Sequence, residues 1–328
     1  RAEERAGFSG AVLIARGNSI LFERAYGTAR ASAPPAFWLA SDSKQFTATA
    51  IMRLEETGRL RTSDSLGRFF RRVPRDKAAI TIHQLLTHTS GLPHAYRADG
   101  ITDRDRAVEA ILGLGLRGAP GAAYSYSNDG YTLLAAIVEI ASGVPFDDFL
   151  ADSLFARAGL AHTGLWGRED PRTPIAPLAD PRRTRGVRPT IWRDGHSVAN
   201  WGYRGCTGAW ATPGDVLAWL RALRSGRVIA PASLAKQLGR HVLVRDDSTG
   251  QAYTGYGWSV RVEGGRDVSY GHTGSEDWLG HTSVIRWTPA GEVVVVLGNS
   301  GETDGTGWAT RVNRGLRRLP EVATGAPP

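Results

Sequence analysis

The chain has 328 residues, 41% of them hydrophobic and 22% charged, which excludes a disordered or fibrous protein and sets an expectation of one or two globular domains. No apolar run approaches the roughly 20 residues that a membrane-spanning helix needs. Basic residues outnumber acidic ones, 40 to 32, but the arginines are spread along the whole chain, so without a basic stripe or a binding motif nucleic acid is not an expected partner.

Residues 8–26 predict a β-hairpin, in which "GAVLIA" and "SILFERAYG" flank the turn-forming Arg16, Gly17 and Asn18. Residues 41–57 predict a helix, with Ser41 near its start and Gly58 just past its end. A stretch punctuated by Pro, Arg and Gly follows, from about 59 to 204. It carries helical segments at 82–88, 104–114 and 131–141 and a long irregular loop at 167–200. The one modest arginine cluster (Arg182, Arg183, Arg185, Arg188, Arg193) falls in that loop and reads as a solvated surface. Thr212 and Pro213 then suit the cap and first position of another helix. The tail returns to strands through "GYGWSVRV", "DVSYGHTG", "GHTSVIRWT" and "EVVVVLGNS". Strands at both ends with helices between predict an α/β domain built from the two termini, with a helical insertion.

Cys206 is the only cysteine, so no disulfide forms within the chain and no cysteine-based metal site is expected. The eight histidines show no H-E-x-x-H pattern, and we expect neither a metal nor a cofactor. The sequence begins with Arg1 rather than Met, which implies a processed or trimmed chain.

Three signals carry chemistry. With three lysines and 21 serines, S-x-x-K is expected less than once by composition, yet it occurs twice, at Ser41–Lys44 and at Ser233–Lys236. On one helix turn, residues i and i+3 share a face, so the amine can reach the hydroxyl. Serine needs a base to become a nucleophile, and a lysine can serve when burial disfavours its charged form. Ser41 follows the apolar "AFWLA" and opens an apolar helix, which suits that role; Ser233 follows "IAPA" and reads as a helix cap. The second signal is Tyr126-Ser127-Asn128. A phenol beside a lysine can relay a proton and an amide can orient a substrate carbonyl, although Asn128 could also simply cap the next helix. The third is His272-Thr273-Gly274-Ser275 in a strand, where glycine would let a substrate approach the backbone and the next N–H could face an oxyanion. A second H-T-G, at His162–Gly164, reads as a structural loop.

In this order, S-x-x-K, Y-S-N and H-T-G resemble the serine β-lactamase and penicillin-binding-protein superfamily. With Y-S-N and H-T-G the chain looks like the branch holding class C β-lactamases, a Streptomyces-type D-alanyl-D-alanine carboxypeptidase, D-aminopeptidases and family VIII esterases. "LLTHTSGLP", "YSNDGYTLLAAIVE", "ATPGDVLAWL" and "YTGYGWSV" extend the likeness over nearly the whole chain.

The resemblance implies an α/β (α+β) fold, an antiparallel sheet flanked by helices plus a mainly helical domain, divided as 1–58 with 205–328 and 59–204, with the active site in the cleft between them. It implies a serine hydrolase that acts on a small ester, a D-amino-acid amide or peptide, or a β-lactam, with a small-molecule or short-peptide substrate as partner. Its alternative is a penicillin-binding sensor or scaffold that does not turn over. In this reading Ser41 is the nucleophile, and Lys44 and Tyr126 share the proton work as a coupled pair. The N–H groups of Ser41 and Ser275 form the oxyanion hole, Asn128 holds the acyl side, His272 and Thr273 contact the leaving-group side, and Gly274 lets the substrate approach the backbone. Histidine in place of the family's lysine predicts anion recognition that weakens as pH rises through the imidazole pKa. Glu276, Asp277 and Trp278 either read a substrate amine or fill a polar turn. Export from the cytoplasm is expected from the resemblance alone.

Overall fold

In the computed structural model, which describes residues 7–30, 34–179, 199–248, 250–276 and 280–301 and the backbone of 192–193 and 196–197, strands β1 (Gly10–Arg16) and β2 (Ser19–Tyr26) form the expected hairpin. The side chains of the arginine cluster, Asp277 and Trp278 lie outside the described residues. A short strand, β3 (Phe37–Trp38), leads to a 3-10 turn (Ala40–Ser43) and then to helix α1 (Lys44–Glu56). Ser41 therefore stands in the turn before the helix rather than at its cap.

The middle of the chain supplies α2 (Ile82–Leu86), α3 (Arg104–Leu112) and α4 (Asn128–Ser142). Helix α4 starts three residues before the predicted segment, and the cap is Ser127, whose hydroxyl accepts from the Gly130 N–H at 3.1 Å. Asn128 is thus freed from capping, which removes the capping reading of that residue. Strands β4 (Thr163–Leu165) and β5 (Ala209–Ala211) complete a small sheet in the order β3-β5-β4. The second H-T-G segment is therefore strand, not loop. Gly164 leaves room there for the Trp210 ring, and His162 Nδ1 meets Thr173 Oγ1 at 2.7 Å.

Helix α5 (Pro213–Arg224) opens as predicted, with Thr212 accepting from the Asp215 N–H. In α6 (Pro231–Gln237) the cap position is Ala230, so Ser233 sits inside the helix and the cap reading fails. The remaining strands are β6 (Val242–Asp247), β7 (Gly250–Thr254), β8 (Ser259–Glu263), β9 (Arg266–Glu276), β10 (His281–Trp287) and β11 (Glu292–Gly298). They join the hairpin in one antiparallel eight-stranded sheet, ordered β2-β1-β11-β10-β9-β8-β7-β6.

Alternation along β1 and β11 explains their continuous apolar runs, as both faces are covered. Ala11, Leu13, Val293 and Val295 join the main core with Ile51, Leu134 and Trp219, while Val12, Val294 and Val296 pack with Phe8 and Tyr26 on the other side. Every strand of the large sheet comes from residues outside 59–204, and that segment supplies α2 to α4. We propose the division 1–58 with 205–328 against 59–204 on that basis, with a core shared across it. Among the described residues, no helix is long and apolar enough to cross a membrane.

Candidate active site

Ala40, directly before Ser41, has φ of 48°, one of two non-glycine residues with positive φ among those described. The left-handed backbone costs energy without a glycine, and packing against β9 holds it there. A Cβ at Gly274 would run into Leu39 O and Ala40 Cβ. This glycine admits the turn that bears Ser41. Strand β9 pairs with β8 only as far as Gly271, so residues 272–276 pair as strand with β10 on one side and present a local sheet edge.

Lys44 is fully buried on the first turn of α1. Its Nζ reaches Asn128 Oδ1 and the Cys206 carbonyl, each at 2.7 Å, and Ser41 Oγ at 3.1 Å. The first two partners are acceptors only, so they take two hydrogens in either charge state. The third direction points at Ser41: the neutral amine offers its lone pair there, the ammonium an N–H. On the other side the Tyr126 hydroxyl donates to the same Ser41 Oγ at 2.9 Å. One hydroxyl thus lies between an amine and a phenol, and a proton can pass among the three.

Several contributors escaped the sequence reading. His88 is the second non-glycine residue with left-handed backbone among those described, at φ 57°. It holds the Tyr126 segment at three points: its carbonyl accepts from the Ser125 N–H at 2.7 Å, its Nδ1 accepts from the Ser127 N–H at 3.1 Å, and its ring stacks on Tyr126 at 4.3 Å between centroids. Burial first, and then the nearby Lys44, hold its pKa well below the ordinary histidine value, in keeping with an Nδ1 that accepts. His94 Nε2 lies 3.1 Å from Asn128 Nδ2 and so fixes the amide whose oxygen meets Lys44. The Cys206 carbonyl is placed by a loop latched to α1, where Thr47 Oγ1 donates to Gly205 O at 2.7 Å and the Ala209 N–H donates to Ser43 Oγ at 3.1 Å. Backbone acceptors leave no mark in residue type. The visible signal was the glycine pair Gly205 and Gly208, both left-handed, in "YRGCTGAW".

Asp42 lies buried between Ser41 and Lys44. Burial pushes its carboxyl from 3.8 up to about 7, against the opposing pull of Ser283 and Lys44. The hydrogen bonds agree. Ser283 Oγ lies 2.7 Å from Leu39 O and 2.5 Å from Asp42 Oδ2, and its single proton satisfies both only if Asp42 carries one of its own. A folded pKa above the unfolded one stabilises the native state at low pH, and that stability is lost as pH rises from about 4 to about 7. Asp42→Asn is expected to gain stability over the parent across that interval and to level off above it. Thermal melts at several pH values check this, and a difference independent of pH contradicts it.

His272 Nδ1 lies 2.7 Å from Thr273 O, an acceptor, so Nδ1 carries the proton. Desolvation first, and then Lys44, push this pKa down to about 4, although the ring is only part-buried by surface area and keeps a side toward the cleft. His272 is therefore neutral near pH 7, and the expected loss of a charged anion site through neutral pH does not arise. Its ring centre lies 6.5 Å from that of Tyr126. Thr273 and Ser275 have exposed side chains. Glu276 is a buried strand residue, not part of a polar turn, and accepts from the Thr207 hydroxyl. The structure thus joins Ser41, Lys44, Tyr126 and Asn128 by direct bonds, sets His272 beside them and Gly274 beneath the turn, and turns Glu276 inward to Thr207.

A sheet flanked by helices, with S-x-x-K, Y-S-N and H-T-G gathered in one cleft, defines the β-lactamase and penicillin-binding-protein class. Residues 1–314 match the family model described as Beta-lactamase, and the chain belongs to that family. It is 37% identical over 180 residues to penicillin-binding protein 4* of Bacillus subtilis (strain 168), covering 50% of this chain and 40% of that one. Over 166 residues it is 32% identical to the putative penicillin-binding protein PbpX of the same organism, covering 49% and 42%. The matched segments span less than half the length of these curated relatives. Among solved structures, a penicillin-binding protein from Bacillus halodurans superimposes with a TM-score of 0.76 at 25% identity, over 96% of this chain and 99% of that one. The D-amino acid amidase of Ochrobactrum anthropi SV3 shares the fold, with a TM-score of 0.74 at 23% identity over 96% of each chain.

Proposed function

We propose that this protein is a serine hydrolase that works through an acyl-enzyme on Ser41, with a small ester, a D-amino-acid amide or peptide, or a β-lactam as substrate. The observation that carries this reading is the placement of Ser41 Oγ between Lys44 Nζ and the Tyr126 hydroxyl. In the first half-reaction Ser41 Oγ bonds to the substrate carbonyl carbon and its proton passes to the Lys44–Tyr126 pair. The bond to the leaving group then breaks, and that group departs with the proton from Tyr126. A water molecule repeats the sequence on the ester of Ser41 and releases the acid. Both Lys44 Nζ and the Tyr126 hydroxyl touch Ser41 Oγ, so no single base is assigned. The N–H groups of Ser41 and Ser275 serve as the oxyanion hole, a reading supported by the packing of Gly274 against the Ser41 turn. Asn128 orients both Lys44 and the acyl group, and His88 holds Tyr126 in line.

Turnover assays with a short p-nitrophenyl ester, D-phenylalanine amide, a D-Ala-D-Ala peptide and penicillin G test the function. Multiple turnovers of at least one, lost in Ser41→Ala, support the hydrolase reading, and the fastest substrate names the subclass. A permanent penicillin adduct with no turnover of any substrate replaces it with a penicillin-binding sensor.

A further inference from the structure

An open hollow of about 400 Å³ begins at the Tyr126 ring and runs past His272 to the β6–β8 edge of the sheet. Tyr126 reaches Ser41 Oγ from its wall, so the hollow starts one side chain from the nucleophile. In an acyl transfer, the group that protonates the leaving atom must touch it, which puts the departing half of the substrate on the Tyr126 side. We propose that this hollow is the leaving-group subsite and that it selects a neutral, apolar alcohol or amine over one that bears a carboxylate. The inference rests on the acyl-enzyme reading above and adds a substrate class to it.

The lining argues the selectivity. Tyr124, Tyr253 and Trp258 supply aromatic surface, and Val244 and Ala252 supply aliphatic surface. Val244 and its neighbour Leu243 are exposed apolar residues on the edge strand, so the rim is apolar as well. Thr254 and Ser259 add neutral hydroxyls, and no lysine, arginine, aspartate or glutamate is among the described lining residues. The two histidines in the wall do not replace a cation. His88 accepts at Nδ1, and His272 spends its Nδ1 proton on Thr273 O, leaving a lone pair on its other nitrogen in the neutral ring. Their pKa values are both held down by burial. The nearest ammonium, Lys44, directs its three bonding positions at Ser41, Asn128 and Cys206 and has none left for a ligand. A carboxylate in this hollow would lose water and gain no charged partner, which is costly, whereas a neutral apolar group gains by burial.

The test uses two esters with the same acyl group and phenols of similar acidity that differ in charge, 3-acetoxybenzamide and 3-acetoxybenzoate. We expect kcat/KM for the amide-bearing ester to exceed that for the carboxylate by about tenfold or more. Ser259→Lys places a cation at the start of β8, on an exposed side chain that folding tolerates. It is expected to raise kcat/KM for the carboxylate ester relative to that for the neutral one. Equal rates for the two esters in the parent protein, or a carboxylate ester indifferent to Ser259→Lys, overturn the subsite while the hydrolase reading stands. Hydrolysis of neither ester overturns the subsite, and where the four substrates named above also give no turnover and no adduct, the acyl-enzyme reading falls with it.

Discussion

Ser41→Ala is expected to abolish covalent acylation and to lower turnover by about 10⁴-fold or more, the scale seen when an acyl-transfer nucleophile is removed. The fold should survive the change. Ser41 is part-exposed, and its side chain bonds to Lys44 and Tyr126, so water entering from the exposed side can take the place of the lost hydroxyl. The variant should therefore melt close to the parent temperature while losing activity, and both are read in one preparation by calorimetry and a turnover assay. The second S-x-x-K is the control. Lys236 pairs with Glu55 at 2.7 Å rather than with Ser233, so Ser233→Ala is expected to keep full activity. Activity retained in Ser41→Ala and lost in Ser233→Ala would reverse the assignment.

Lys44→Met is expected to lower turnover by about 10³-fold or more through loss of the amine that exchanges a proton with Ser41. Unlike the serine variant, it should also destabilise the protein. Asn128 Oδ1 and the Cys206 carbonyl both receive hydrogen bonds from Lys44 in a buried site, and methionine leaves both without that donor. Each buried polar group left unpaired costs about 1–3 kcal/mol. Tyr126→Phe separates the two effects, because it keeps the ring stacked on His88 and the lysine network while removing the hydroxyl that meets Ser41. It should lose activity with little change in melting. A Lys44→Met variant that retains a tenth or more of parental turnover contradicts a proton-carrying role.

The contrast between these variants reflects what residue order can and cannot convey. The hairpin, the helix after Ser41 and the four C-terminal strands through β11 were legible because their apolar runs or alternation follow from burial. Strands β6 and β7 were not, since their side chains are largely exposed or half-exposed at the edge of the sheet and carry no buried period. Ser233 and His162–Gly164 show the opposite error, where short local signals were read without the tertiary partners that turn one into a helix interior and the other into a strand. At the site, the pairing of Ser41 with Lys44 was legible from their spacing, and Tyr126 and Asn128 only from the order of the three motifs. The Cys206 carbonyl, the three-point hold of His88 on Tyr126 and the neutral state of His272 were not, because they depend on backbone atoms and burial rather than on residue type. The space that Gly274 makes for the nucleophile's own turn was not legible either, because it depends on a tertiary contact.

The central claim is that Ser41 itself becomes acylated, and its most direct measurement is acid-quenched peptide mapping after brief mixing with p-nitrophenyl acetate. The account predicts one acetyl group on the peptide containing Ser41, appearing before steady-state turnover and decaying once ester is exhausted, and absent from the Ser41→Ala protein. Acetylation on another serine with Ser41 unmodified, or hydrolysis with no covalent species at any quench time despite a burst of p-nitrophenol, would contradict it.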